Sequence, residues 1–142
     1  MSDILARYRE VEYAIPAGQQ TWFLYGIGLE SLGKGGQPEA VSVPEPRPDE
    51  LLVRCDALGL CFSDIKIINQ GGEHVRIKRD IAKEPVVMGH ESAITVVKVG
   101  ANLTDRYAVG QHVAIQPAMG LPGGESPGYS YPFYGGDATY TI

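Results

Sequence analysis

From Leu51 to Leu58 the side chains obey a period of two. Leu51, Val53, Cys55 and Ala57 point one way, and Leu52, Arg54, Asp56 and Leu58 the other. That is strand periodicity, and it sets the expectation for the rest of the chain. Thr21–Tyr25, Ala40–Val43, Pro85–Met88, Ser92–Val99, Gln111–Gln116 and Ala138–Ile142 are further short runs rich in β-branched or aromatic residues. Gly 18 and Pro 10 among 142 residues supply the many turns that such short elements need. One segment reads differently. Ser63–Asn69 has the makings of a short helix, with Ser63 or Asp64 as its cap and Gly71-Gly72 as its stop. The expected fold is mainly β with a few short helices.

A chain of 142 residues is about one domain and can bury a real core. Residues 1–20, which carry Arg7, Arg9, Glu10 and Glu12 and end in Pro16-Ala17-Gly18, read as an N-terminal arm. Residues 21–142 read as the domain itself. A net charge of -5 argues against broad electrostatic binding to nucleic acid. The basic residues Arg76, Lys78, Arg79 and Lys83 cluster in one loop, read either as a solvated face or as an attraction for an anionic substrate such as a sugar phosphate. Two cysteines, Cys55 and Cys61, do not make a disulfide framework, and Cys55 reads as a buried free thiol. The first residues lack the apolar core of a signal peptide, and no apolar run reaches the length of a bilayer span. The expected compartment is the cytoplasm, with no membrane partner.

Gly26–Gly33 resembles a phosphate-cradling glycine loop at first sight. The breaker Lys34-Gly35-Gly36-Gln37-Pro38 follows at once, so no helix N-terminus is available to meet a pyrophosphate, and the segment reads as a strand connection. Pro117–Gly136, almost without aliphatic residues, reads as a long loop ordered by aromatics such as Tyr129, Tyr131 and Phe133. Ala138–Ile142 reads as a strand in which the chain stops, so a truncated domain is expected.

The chemistry concentrates at the two ends of Leu60–Glu91. Cys61 lies just past the end of the strand Leu51–Leu58 and before the short helix, a position whose helix dipole suits an anionic sulfur. His90 and Glu91 follow Gly89 at the end of a second apolar run. A thiol, an imidazole and a carboxylate are the donors that hold zinc well, and converging strand ends are where a rigid scaffold can set them. A lone cysteine is more often a small buried hydrophobe, and a His-Glu pair is common on surfaces.

The ordered set of motifs carries more than its pieces. Gly59-Leu60-Cys61-Phe62-Ser63-Asp64, then Gly89-His90-Glu91, then Val96-x-x-Val99-Gly100, then Gly110-x-x-Val113, is similar in order and spacing to the zinc-dependent medium-chain alcohol and polyol dehydrogenases. The resemblance covers the GroES-like catalytic domain of that family, roughly Phe23–Ile142. Gln70–His74, Pro127–Tyr131 and Gly135–Tyr140 look most like its L-sorbose 1-phosphate reductase branch.

The resemblance implies a partly open GroES-like β-barrel, from which the family's Rossmann domain is absent in this chain. It implies Cys61 and His90 as zinc ligands, and Glu91 as a carboxylate that ligates zinc in polyol dehydrogenases but stands just outside the ligand shell in many alcohol dehydrogenases. Ser63 matches the hydroxyl that passes on the substrate proton. Asp64 matches the carboxylate that orients the histidine. Lys66 stands where other members carry a further relay or nucleotide-contacting residue. The implied cofactors are Zn²⁺ and, in the full-length enzyme, NAD or NADP; the implied substrate is a small alcohol, polyol or sugar phosphate. A homo-oligomer is compatible with the family, and the chain alone is expected to be inactive. Ile94 and Gln111 depart from the family's glycine and aspartate, and the four-cysteine lobe of a second zinc is missing. Two rivals stand beside this reading: a zinc-free quinone-type reductase domain, and a non-catalytic GroES-like binding or assembly module.

Overall fold

The alternating stretch becomes strand β4, Leu51–Gly59, in a computed structural model that describes residues 6, 14–115 and 135–142. The other strands are β1 (Gly18–Thr21), β2 (Phe23–Leu24), β3 (Glu39–Ser42), β5 (Val86–Val87), β6 (Glu91–Val99), β7 (His112–Ala114) and β8 (Tyr140–Thr141). A helix, α1, spans Phe62–Gln70, and 3-10 turns lie at Leu29–Ser31, Gly71–Glu73 and Ala101–Leu103. β4 and β6 run antiparallel along their whole length, from Leu51 opposite Val99 to Gly59 opposite Glu91. β7 and β8 flank them, giving the order β7-β6-β4-β8. β1 pairs with β3, and β2 with β5, as separate two-stranded sheets. The fold is therefore mainly β, and among the described residues the sheets do not close into one ladder, in keeping with a partly open barrel.

The alternation in β4 is real but interrupted. Register shifts between Leu52 and Val53, and between Cys55 and Ala57, rotate the strand so that Leu52, Val53 and Arg54 are all buried. An extra residue against one partner residue does this in any antiparallel pair. Arg54 is buried with its charge paired to Asp56, which also accepts a hydrogen bond from Thr95 of β6. That pairing keeps a buried cation from standing uncompensated. Cys55 is half-buried and free; burial first, then the carboxylates of Asp56 and Asp137, pushes its thiol up to about 12.

Two apolar clusters result among the described residues. Val53, Ile94 and Val96, with Leu51, Val99 and Val113 against them, line the four-stranded sheet. Leu24, Ile67, Ile77, Ile81, Val86 and Met88 form the other, under α1. Gly100 ends β6 against the carbonyl oxygens of Arg47, Pro48 and Glu50, an approach that leaves no room for a Cβ. This stitches the stiff Pro44–Pro48 connector to the sheet.

Several boundaries differ from expectation. The run Thr21–Tyr25 breaks at Trp22, whose N–H donates to the Asp137 carbonyl at 2.8 Å, and the expected arm end at Gln20 falls inside β1. Helix α1 starts one residue earlier than expected, because its cap is Cys61 and not Ser63 or Asp64. Gly26–Gly33 is a connection, as expected: it contains the 3-10 turn, and the Gly28 N–H donates to the Ile68 carbonyl of α1 at 2.7 Å. Most of the loop Pro117–Gly136 lies outside the described residues, where Gly135 and Gly136 alone of it are included. Among the described residues no helix is long and apolar enough to cross a membrane.

Candidate metal centre

Cys61 sits where β4 gives way to α1, and both of its polar groups are used there. Its sulfur accepts from the Ser63 N–H at 3.4 Å, while its own N–H donates to Asp64 Oδ2 at 2.9 Å. This is a reciprocal capping box with a thiol in the place usually held by a hydroxyl. The cap fixes the first turn of the helix. It thereby fixes Ser63, whose Oγ lies 2.7 Å from Cys61 Sγ.

His90 arrives from the other end. Val86–Met88 are fully buried, and Gly89 then takes φ 86 with Leu58 so close that a Cβ would stand 2.8 Å from it. Only glycine tolerates both demands. The turn releases His90 at the mouth of β6, with its imidazole facing α1.

The two ring nitrogens of His90 meet different chemistry. Nδ1 lies 3.4 Å from Asp64 Oδ1, a carboxyl 4% exposed. Nε2 lies 3.2 Å from Cys61 Sγ, 2.9 Å from Ser63 Oγ and 3.9 Å from Glu91 Oε1. A carboxylate against Nδ1 holds the proton there and leaves the Nε2 lone pair for a hydrogen-bond donor or a metal. Glu91 is the loosest member: its side chain is 46% exposed, and its carboxylate lies beside Gly59 at the facing end of β4. The other four residues of the expected site, Cys61, Ser63, Asp64 and Glu91, thus gather around the His90 imidazole.

The donor set fits a zinc ion. Ligand atoms on one tetrahedral zinc stand about 3.3–3.6 Å apart, given the usual metal–sulfur and metal–nitrogen lengths. The Cys61–His90 separation of 3.2 Å is close to that edge, and the Glu91 separation of 3.9 Å is within a small side-chain adjustment of it. Cys61, Asp64 and His90 also offer ligand atoms that all lie within 4.8 Å of one another. Asp64 nevertheless stands on the Nδ1 side and is spent on the Cys61 cap, so its geometry is that of a positioning group.

Asp137 has no site role in the sequence reading, where it stands only within Gly135–Tyr140. The chain at Gly136-Asp137 is tied to the strand end before His90, through Gly136 N–H to the Gly89 carbonyl at 2.8 Å and Asp137 N–H to the Met88 carbonyl at 3.0 Å. Burial, with the Asp64 carboxylate nearby, raises the Asp137 carboxyl to about 6. A lone aspartate after two glycines carries no period, and only the fold brings it here.

Comparison with known proteins identifies the family of the fold that carries this cluster. The family described as "Alcohol dehydrogenase GroES-like domain" matches residues 47–141. Mannitol-1-phosphate 5-dehydrogenase of Aliivibrio fischeri is 43% identical over 106 residues, covering 75% of this chain and 25% of that protein. L-sorbose 1-phosphate reductase of Klebsiella pneumoniae is 35% identical over 105 residues, covering 73% of this chain and 26% of that protein. The chain spans about a quarter of the length of these curated relatives. In fold it is similar to 2R,3R-butanediol dehydrogenase from Bacillus subtilis, with a TM-score of 0.68 at 23% identity, covering 87% of this chain and 37% of that one.

Proposed function

The chain belongs to the alcohol dehydrogenase GroES-like domain family, and from that premise we propose that residues 21–142 form the zinc-holding catalytic domain of an NAD- or NADP-dependent dehydrogenase for alcohols, polyols or sugar phosphates. The observation that carries the reading is the meeting at His90 Nε2 of a thiol and a hydroxyl, Cys61 Sγ at 3.2 Å and Ser63 Oγ at 2.9 Å, from a segment 27 to 29 residues away.

Cys61, His90 and Glu91 would hold the zinc. Bound there, it supplies Lewis acidity toward the oxygen of an alcohol or ketone. Ser63, touching both the thiol and the imidazole, holds its hydroxyl where it can take the proton of a substrate alcohol and hand it onward. Asp64, almost fully buried, keeps the His90 proton on Nδ1 and the ring in one orientation. NAD or NADP, for which no residue of this chain is proposed as a site, would supply the hydride acceptor or donor. A cytoplasmic location goes with this reading, since Cys55 and Cys61 are both free thiols.

The test is metal content. Purified chain dialysed against zinc should retain about one ion per chain, Cys61→Ser and His90→Ala should each retain far less, and Cys55→Ser should match wild type. Equal zinc in wild type and Cys61→Ser would overturn the assignment.

A further inference from the structure

The sheets leave a gap where His90 stands. β5 pairs with β2 as far as Val87, opposite Phe23, and β6 takes up its ladder with β4 at Glu91, opposite Gly59. Met88, Gly89 and His90 lie between the two ladders. A third segment, Gly135–Asp137, reaches into that gap: Asp137 N–H donates to the Met88 carbonyl at 3.0 Å, and Gly136 N–H to the Gly89 carbonyl at 2.8 Å. The Gly89 carbonyl and the His90 N–H belong to one planar peptide unit. A bond that fixes that carbonyl therefore also fixes the plane from which His90 leaves.

The segment is itself braced. The Asp137 carbonyl accepts the Trp22 N–H at 2.8 Å. Two residues on, Thr139 N–H donates to the Gln20 carbonyl of β1 at 3.2 Å, and the Thr139 carbonyl accepts the Cys55 N–H of β4 at 2.9 Å. Its packing is close. A Cβ on Gly135 would overlap the Met88 carbonyl oxygen, and one on Gly136 would overlap Ser92 Oγ and stand 2.9 Å from Leu58 Cδ1. Neither glycine has a positive φ, so the demand is for space and not for a special backbone conformation. Ser92 is buried, and its Oγ has no hydrogen-bond partner among the described residues. The hydroxyl that crowds Gly136 can thus be removed without breaking a bond.

We propose that Gly136 is a positioning residue for the metal centre, holding the Gly89–His90 peptide so that the imidazole meets Cys61 and Ser63 across the gap. Those meetings are close, with His90 Nε2 3.2 Å from Cys61 Sγ and 2.9 Å from Ser63 Oγ. A side chain at position 136 pushes the segment off Ser92, draws its N–H from the Gly89 carbonyl and lets the ring turn away. The inference rests on the reading of Cys61, His90 and Glu91 as zinc ligands.

The test is zinc affinity, by competition with a chromophoric chelator, on chains shown to be folded by circular dichroism. Gly136→Ala should bind zinc about tenfold more weakly than wild type, or worse. Ser92→Ala should bind as wild type does. Combined with Gly136→Ala it should recover most of the loss, since the Leu58 methyl left near the new Cβ is the end of a side chain that can rotate. A glycine needed for folding alone would lower the melting temperature of the metal-free chain and leave the affinity of the folded chain unchanged. Wild-type affinity in Gly136→Ala, or a loss that Ser92→Ala does not relieve, overturns the positioning role. Amide hydrogen exchange on the unmutated chain gives a measurement independent of how the variants fold. By linkage, zinc should slow exchange at Gly136 several-fold more than at Gly110, whose N–H donates to the Val96 carbonyl of β6 at 2.8 Å. Equal slowing at the two also overturns the role. Wild type without zinc sinks the underlying reading, whereas zinc held equally by wild type and Gly136→Ala sinks the positioning role alone.

Discussion

The two apolar clusters hold together in different ways. Under the four-stranded sheet, Val53, Ile94 and Val96 are backed by a long antiparallel ladder between β4 and β6, twice shifted in register. Under α1, Leu24, Ile67, Ile77, Ile81, Val86 and Met88 come from a two-stranded pair, a helix and an irregular loop, with little ladder between them. Backbone hydrogen bonds do most to join the first region, whereas in the second they are few and side-chain burial does more. The chemistry spans the seam. Cys61, Ser63 and Asp64 ride on the cluster under α1, while Glu91 opens β6. Precision at the site should therefore depend on the helix cluster far more than on the sheet cluster.

A matched pair of truncations tests that difference with the largest expected effect. Ile67→Ala and Ile94→Ala remove the same atoms from buried positions, and each should cost about 2–5 kcal/mol in chemical denaturation. Ile67→Ala should also weaken zinc binding, since Ile67 is fully buried one turn after the Ser63-Asp64 pair. Ile94→Ala, measured where it is still folded, should bind zinc as wild type does. Equal loss of zinc in both would erase the distinction between the regions.

Asp64→Asn sharpens it within the helix region. The amide keeps the shape but cannot hold a proton on His90 Nδ1 by charge, nor accept as strongly from the Cys61 N–H. Zinc affinity should fall roughly 10- to 100-fold with little change in melting temperature. A variant with full affinity would remove Asp64 from its positioning role.

Asp137 gives the smallest effect and a signed one. Its carboxyl titrates near 3.8 when unfolded and about 6 when folded. Between those values the folded, metal-free chain holds the extra proton, so stability should fall as pH rises through that window. With allowance for its partial exposure, Asp137→Asn should add about 1–2 kcal/mol at pH 7 and nothing near pH 3. Denaturation midpoints across that range for both proteins measure it; parallel curves would contradict the raised carboxyl.

These effects also mark what the sequence could reveal. The period of two in Leu51–Leu58 announced β4, and the Ser92–Val99 run announced β6, because ladders impose a period on sequence. It could not announce the two register shifts, since a bulge inserts a residue without altering composition. Gly71 ended α1 as expected, at φ 50. The cap was misplaced because a cysteine thiol is not an ordinary capping group, and here the needs of the site and of the helix fall on the same residue. Cys61, His90 and Glu91 were legible as donor types in a family order. The assignment of Asp64 to one ring nitrogen, and the approach of Asp137, depend on contacts between distant segments that no local pattern encodes.

Zinc-edge X-ray absorption on the metal-loaded chain probes the centre most directly. With Cys61, His90 and Glu91 as ligands, it should find one sulfur at about 2.3 Å and nitrogen or oxygen neighbours at about 2.0–2.2 Å, with the sulfur lost in Cys61→Ser. A zinc environment with no sulfur, or one unchanged in Cys61→Ser, would contradict the account.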